Sequence, residues 1–332
     1  MAEQPAPAAW KHRPEGGTRG SIALIVAIAR HGGRWLARLC LYPITLYFLC
    51  MRGPERRASQ AWLERVRGRP AGPWSAARHI HRFASTILDR LFLLGGETWR
   101  FDIRVHGLAP LAALVERGQG ALLFGSHLGS FDALRVLSRQ RPGLQVRIVL
   151  DRTQNPVLTE LFDALDPTLA QGVIDGSQPG AAIALEIQHA LESGALVALL
   201  VDRAQLHEDT ASVPFLGQPA RFPLTPWRLA AALHAPVLLC FGLYAGGNRY
   251  DLHFEPFLDP AAAPPPPRGA RVRWLQERVA DYAVRLEHHA RRAPFNWFNF
   301  YDFWSDSVDE VSPDPAPGHP AVRGRAALRR GA

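Results

Sequence analysis

The most constraining stretch of this chain is Ala121-Leu122-Leu123-Phe124-Gly125-Ser126-His127-Leu128-Gly129-Ser130-Phe131-Asp132. An apolar run of four stops at Gly125-Ser126, and Ala133-Leu134-Arg135-Val136-Leu137 resumes with helical spacing. That pattern reads as a buried strand, a sharp glycine turn and the start of a helix. In open α/β sheets such a turn presents side chains at the carboxyl end of a strand, where ligands bind. His127 and Asp132 stand there, five residues apart.

A neutral imidazole can take a proton from a hydroxyl when a carboxylate holds its other nitrogen. Five residues is not same-face spacing on a regular helix. The pair therefore needs His127 at the non-helical start, with Asp132 reaching back across the first turn. Gly125-Ser126-His127-Leu128-Gly129 has its serine one place too early for a nucleophile elbow. The chemistry suggested is direct attack by a substrate hydroxyl, without a covalent enzyme intermediate. Spacing alone is unspecific, and a satisfied structural histidine is the competing reading. None of the other twelve histidines has an acid five residues on.

The chain of 332 residues carries a net charge of +8, and Lys11 is its only lysine. Arginine binds phosphate and carboxylate in a bidentate fork, which suits anionic lipid or an acidic carrier protein. Composition bias towards Ala, Arg, Gly and Pro is the plainer explanation. The sequence has no paired Cys/His metal spacing and no basic region followed by heptads, so neither a metal nor nucleic acid is expected. Cys40, Cys50 and Cys240 make no disulfide framework.

Residues 1–20 read as an unstructured N-terminus and 305–332 as an unstructured tail. Between them, 21–55 is a hydrophobic segment and 56–304 the main domain. Ser21–Ala29 is apolar, Arg30–Arg34 interrupts, and Trp35–Met51 is apolar again, broken by Arg38 and Pro43. A spanning helix needs about 20 apolar residues, so the segment reads as embedded in, or lying on, a membrane. Arg34, Arg38, Arg52, Arg56 and Arg57 are expected to meet headgroups. A short leader cleaved after Ala27-Ile28-Ala29 and a plain buried helix are the alternatives. His79 and His81 read as a polar helix face. Phe295–Trp304 is the densest aromatic stretch, suited to a membrane interface, an acyl groove, or packing onto the domain.

His-x-x-x-x-Asp after an apolar strand resembles the signature of the lysophospholipid acyltransferase superfamily, and most closely its lipid A biosynthesis (lauroyl/myristoyl) branch. The likeness runs from about Pro43 to Trp304. It implies that His127 is the general base, that Asp132 orients it, and that an acyl thioester is the donor. Other positions follow from the same likeness. Arg152 precedes Asn155-Pro156 and would face a phosphate. Asp202 matches an acidic position at the next strand end and, like Asn155, is a candidate substrate contact; Arg203 beside it is a phosphate candidate. Phe215 and Gly217 match a Phe-Phe-Gly-x-x-Ala stretch near the thioester, and Arg221 would reach a headgroup phosphate. Ser126 and Gly129, in the glycine turn, are candidate substrate contacts. The Gly125–Gly129 turn or a nearby arginine would supply oxyanion donors. The lipid A branch usually has Glu where Asp132 stands, an Arg within the segment matching Pro167–Val173, and basic residues where Tyr301-Asp302-Phe303 stands here.

The expected fold is α/β, a mixed central sheet of about six strands flanked by helices, glycerolipid acyltransferase-like, with an N-terminal membrane-associated helix. The expected activity moves a fatty acyl chain from acyl carrier protein or coenzyme A to a hydroxyl of a lipid-like acceptor, without a cofactor. The expected place is the cytoplasmic face of a bacterial inner membrane. A non-catalytic acyl-chain or carrier-protein binder, and a lipid hydrolase, are the competing functions.

Overall fold

Ala121–Gly125 is buried at every position, and the chain builds a three-layer domain around that strand. The computed structural model describes residues 19–134, 144–151, 172–205 and 208–304. Arg152, Asn155, the segment Thr168–Gln171 and the expected tail lie outside the described residues, as do positions 1–18.

Among the described residues, seven strands form one sheet: β1 (Asp102–His106), β2 (Ala121–Gly125), β3 (Val146–Leu150), β4 (Val173–Asp175), β5 (Leu196–Leu200), β8 (Val237–Gly246) and β9 (Arg249–Leu258). Their order is β1-β9-β8-β2-β5-β3-β4. The β8–β9 hairpin is antiparallel and the other neighbours are parallel. The sheet is mixed, as expected, with one strand more than expected. A separate two-stranded hairpin, β6 (Thr210–Phe215) with β7 (Gln218–Pro223), was not expected from its sequence. Pro214 opposes Pro219 in it. Proline lacks the N–H a central strand needs, and a two-stranded ribbon tolerates it.

The alternation of β2 splits the core in two. Leu122 and Phe124 point to one face, under α2 (Gly53–Arg67), α5 (Gly180–Glu192), α6 (Thr225–Leu233) and α7 (Arg271–Arg292). Ala121 and Leu123 point to the other, under α1 (Arg19–Met51), α3 (Pro73–Leu94) and α4 (Leu108–Glu116).

Helix α1 is broken at Gly33, whose φ of 73° and ψ of 175° lie outside the helical region. Val26, Ala29, Ala37 and Leu41 are buried, and the helix packs along α3. Trp35 (74% exposed), Leu39, Tyr42, Leu46 (58%) and Met51 are in solvent. Positions 35, 39, 42 and 46 recur at helical spacing, so the helix carries a second apolar stripe that is exposed among the described residues. Among the described residues, no helix is long and apolar enough to cross a membrane. Two of the arginines expected at headgroups turn inward instead. Arg34 Nε and Nη2 donate to Asp89 at 2.7 and 2.9 Å, and Arg38 Nη2 donates to the Tyr244 hydroxyl at 2.7 Å. Asp89 is fully buried on α3 and also accepts the Tyr250 hydroxyl at 2.9 Å. Burial and the Asp89 charge push the Tyr250 phenol well above its ordinary value.

Candidate active site

Strands β2 and β5 pair in parallel with Gly125 opposite Leu200. Two residues further along each strand come His127 and Asp202, so sheet register alone delivers them to the same height. His127 Nδ1 lies 2.7 Å from Asp202 Oδ1, and the His127 amide donates to Oδ2 at 3.0 Å. The carboxylate is fully buried, while the imidazole keeps 27% of its surface open.

A third segment completes the arrangement. Residues 296–298 run antiparallel to 127–129, with Leu128 bridged to Trp297. Gly129 N donates to the Asn296 carbonyl at 2.7 Å, and Phe298 N to the His127 carbonyl at 2.8 Å. Gly129 sits at φ 88°, and a Cβ there would come within 2.0 Å of the Gly242 carbonyl oxygen. Only glycine fits that crossing. The Trp297 indole Nε1 donates to Asp202 Oδ2 at 3.1 Å and Asn299 Nδ2 to the same oxygen at 3.4 Å. The Asn296 amide clasps both the N–H and the carbonyl of Tyr244, at 2.7 and 3.1 Å. From below, fully buried His79 joins Ser59 Oγ (2.8 Å) to the Trp297 carbonyl (3.0 Å). A carbonyl only accepts, so Nε2 of His79 carries the proton. Burial lowers His79 to about 4. Its expected place on a polar face is therefore corrected: it is a neutral core histidine supporting this strap.

The donor set fixes protonation. Every neighbour named around Asp202 is a donor, so the group is an anion. Burial would raise it, but the His127 ring, Arg203 and the His127 amide outweigh burial and hold it down at about 2. An anionic acceptor at Nδ1 puts the proton on Nδ1 and leaves the lone pair on Nε2. Burial, then the positive charge of Arg203, lower His127 below its ordinary value, against the opposing pull of Asp202. The ring is thus a neutral base near pH 7, in one tautomer, with an open edge. That arrangement can accept a proton from a hydroxyl and return it to a leaving group.

The structure redistributes the other expected roles. The carboxylate on Nδ1 belongs to Asp202, 75 positions along the chain, which the sequence had suggested as a substrate contact. The side chain of Asp132 lies outside the described residues. Within the Gly125–Gly129 turn expected to supply oxyanion donors, the amides of His127, Leu128 and Gly129 already have acceptors, as does that of Ser130. His127 N uses Asp202, Leu128 N uses Ser126 Oγ, Gly129 N uses Asn296 and Ser130 N uses Gly242. Ser126 itself is buried. Arg203, expected on a phosphate, donates to Asn299 Oδ1 at 2.5 Å and to the Phe298 carbonyl at 3.0 Å, with its guanidinium over Tyr301. Phe215 is fully buried against Trp297, Phe222 and Trp304, inside the core rather than on an open surface. Gly217 takes φ 82° at the exposed tip of the β6–β7 hairpin, and Arg221 lies on β7 opposite Ser212. Trp297, Phe298, Phe303 and Trp304 are buried, so packing accounts for most of the aromatic stretch.

Sequence reasoning gave Asn296 and Asn299 no role. Their only signal was position: two amides flanking Trp297-Phe298 in a segment otherwise built for burial. Among the described residues, no group of three or more His, Cys, Asp or Glu side chains is placed to hold a metal ion.

Compared with known proteins, residues 90–296 match the family model of the bacterial lipid A biosynthesis acyltransferases. The match takes in more than half of the chain, including β2, β5, His127 and Asp202. It leaves out α1, α2 and the residues after Asn296. No curated protein matches the chain.

Proposed function

The chain belongs to the bacterial lipid A biosynthesis acyltransferase family, and on that premise we propose that it moves a fatty acyl chain from a thioester to a hydroxyl of a lipid-like acceptor. The donor is acyl carrier protein or coenzyme A carrying the chain, and no resident cofactor takes part. The observation that carries this reading is the 2.7 Å contact between His127 Nδ1 and buried Asp202, which leaves Nε2 as the base.

In the proposed reaction, His127 Nε2 removes the acceptor hydroxyl proton as the oxygen attacks the thioester carbonyl. The tetrahedral oxyanion collapses, the C–S bond breaks, and the proton on Nε2 passes to the departing thiolate. Asp202 stabilises the imidazolium in between. Asp132, the acid of the His-x-x-x-x-Asp motif, is the second carboxylate of the proposal. Asp132→Asn measured beside Asp202→Asn divides the orienting role between them.

Membrane contact belongs to the same proposal. The exposed stripe Trp35, Leu39, Tyr42 and Leu46 supports a helix lying in the interface of the inner membrane on its cytoplasmic side. Arg38 ties that helix to Tyr244, and the neighbouring Tyr244 backbone is held by Asn296 of the strap. The helix that carries the stripe is therefore joined through β8 to the strap beside His127.

The test is thiol release from dodecanoyl-acyl carrier protein and dodecanoyl-coenzyme A, with extracted inner-membrane lipid as acceptor and product identified by mass spectrometry. An acylated lipid that disappears in His127→Ala supports the proposal. Free fatty acid as the sole product, or equal activity in His127→Ala with the fold intact, overturns it.

A further inference from the structure

Resting on the reading of His127 as general base, we infer that Trp297 and Asn299 are positioning residues of the reaction: their N–H groups hold the Asp202 carboxylate in the place and charge state that fix the His127 tautomer. Both residues lie beyond the end of the family match at Asn296.

Asp202 Oδ1 receives His127 Nδ1, and Oδ2 receives the His127 amide at 3.0 Å, Trp297 Nε1 at 3.1 Å and Asn299 Nδ2 at 3.4 Å. Indole N–H only donates, so Asp202 Oδ2 is the acceptor of that bond. The direction of the Asn299 amide is set independently. Arg203 is donor-only and meets Asn299 Oδ1, which turns Nδ2 towards Asp202. A relay therefore runs from Arg203 through Asn299 and Asp202 to His127. Residues 296–298, next to Asn299, pair by backbone with 127–129. The strap locks the backbone of the base with its main chain and the carboxylate with its side chains.

This geometry separates positioning from bulk packing. Trp297 also contacts Trp62, Phe215 and Phe303, so large truncation would disturb the core. Trp297→Phe keeps a ring in place and deletes the donor. Asn299→Leu keeps the shape and deletes both amide bonds.

The experiment uses the full chain with dodecanoyl-acyl carrier protein and extracted inner-membrane lipid, and reads kcat and KM across pH. A parallel titration follows the His127 ring by nitrogen NMR, assigned by difference from His127→Ala. With one donor gone, Asp202 bears more charge towards the ring. The acid limb of kcat should then move to higher pH by about half a unit, and kcat should fall about tenfold in each variant with KM within about twofold. Thermal melting and the NMR titration of a folded variant keep the inference testable if one of the two loses stability. An unmoved limb and an unmoved His127 titration in both variants, with His127→Ala inactive, overturn the positioning role and leave the strap structural. Activity retained in His127→Ala overturns the underlying reading instead.

Discussion

Asp202 and Asp89 are both fully buried carboxylates, both ringed by donors, and they do different work because of what those donors are. Asp89 faces Arg34, with Arg38 further off, and the Tyr250 hydroxyl. A guanidinium stays charged at any accessible pH, so that cluster is static and fastens α1 to the sheet. Asp202 faces an imidazole with an open edge. Its partner can gain and lose a proton, and in the proposed reaction the same buried charge becomes part of a shuttle. Burial alone therefore does not mark a functional acid; the titratability and exposure of its partner do.

The comparison breaks first at the rate. Asp202→Asn should lower kcat about 10³-fold or more, since an amide no longer enforces the tautomer, whereas Asp89→Asn in folded protein should leave kcat within a few fold. Equal losses would erase the distinction. Stability should invert the ranking. Asp89→Ala strands the Arg34 charge and should cost about 3 kcal/mol, read as a shift in urea midpoint at constant slope.

Acid should separate the two sites again. The neutral form of His127 persists below the ordinary imidazole value, so the acid limb of kcat/KM should lie below pH 6.5. The fold should weaken over a neighbouring window. His79 is depressed to about 4 in the fold, so the unfolded chain binds the extra proton between about 6.5 and 4. Stability is then full above about 6.5 and falls as pH drops towards 4, by up to about 3 kcal/mol. Denaturant titrations at pH 7 and 5 measure the loss, and a folded His79→Gln variant should show a shallower one. The smallest effect concerns the helix that Asp89 holds. Trp35→Ser with Leu46→Ser should weaken binding to phosphatidylglycerol vesicles about tenfold, with kcat on a detergent-dispersed acceptor unchanged. Unaltered vesicle binding would remove the stripe from the proposed interface.

Local pattern carried the reading as far as β2, its glycine turn and His127, because an apolar run that stops at Gly125 has few other solutions. The α/β class followed from the same pattern. The partner of His127 was not legible. Asp202 ends an apolar strand just as His127 does, but only the strand order β8-β2-β5-β3 makes them neighbours, and order is a tertiary property. Arg34 and Arg38 misled for the opposite reason. Basic residues beside an apolar run look like headgroup contacts until a buried acid on another helix is found at their level. Phe215 matched a family position by residue type, yet its ring faces inward, which alternation along β6 decides and the motif does not state. The strap at 296–299 was hidden because amides among aromatics read as tolerated polarity rather than as ligands of a carboxylate.

The in-register pairing of Gly125 with Leu200 makes the chemistry a gauge of assembly. Were β5 to slip by a single residue against β2, alternate side chains would exchange faces, and the acid would point away from the ring it serves. In the proposed reaction, turnover would certify that two strands, separated by seventy residues of intervening chain, have met in the one alignment that works, and a misaligned sheet would stay silent however compact it became.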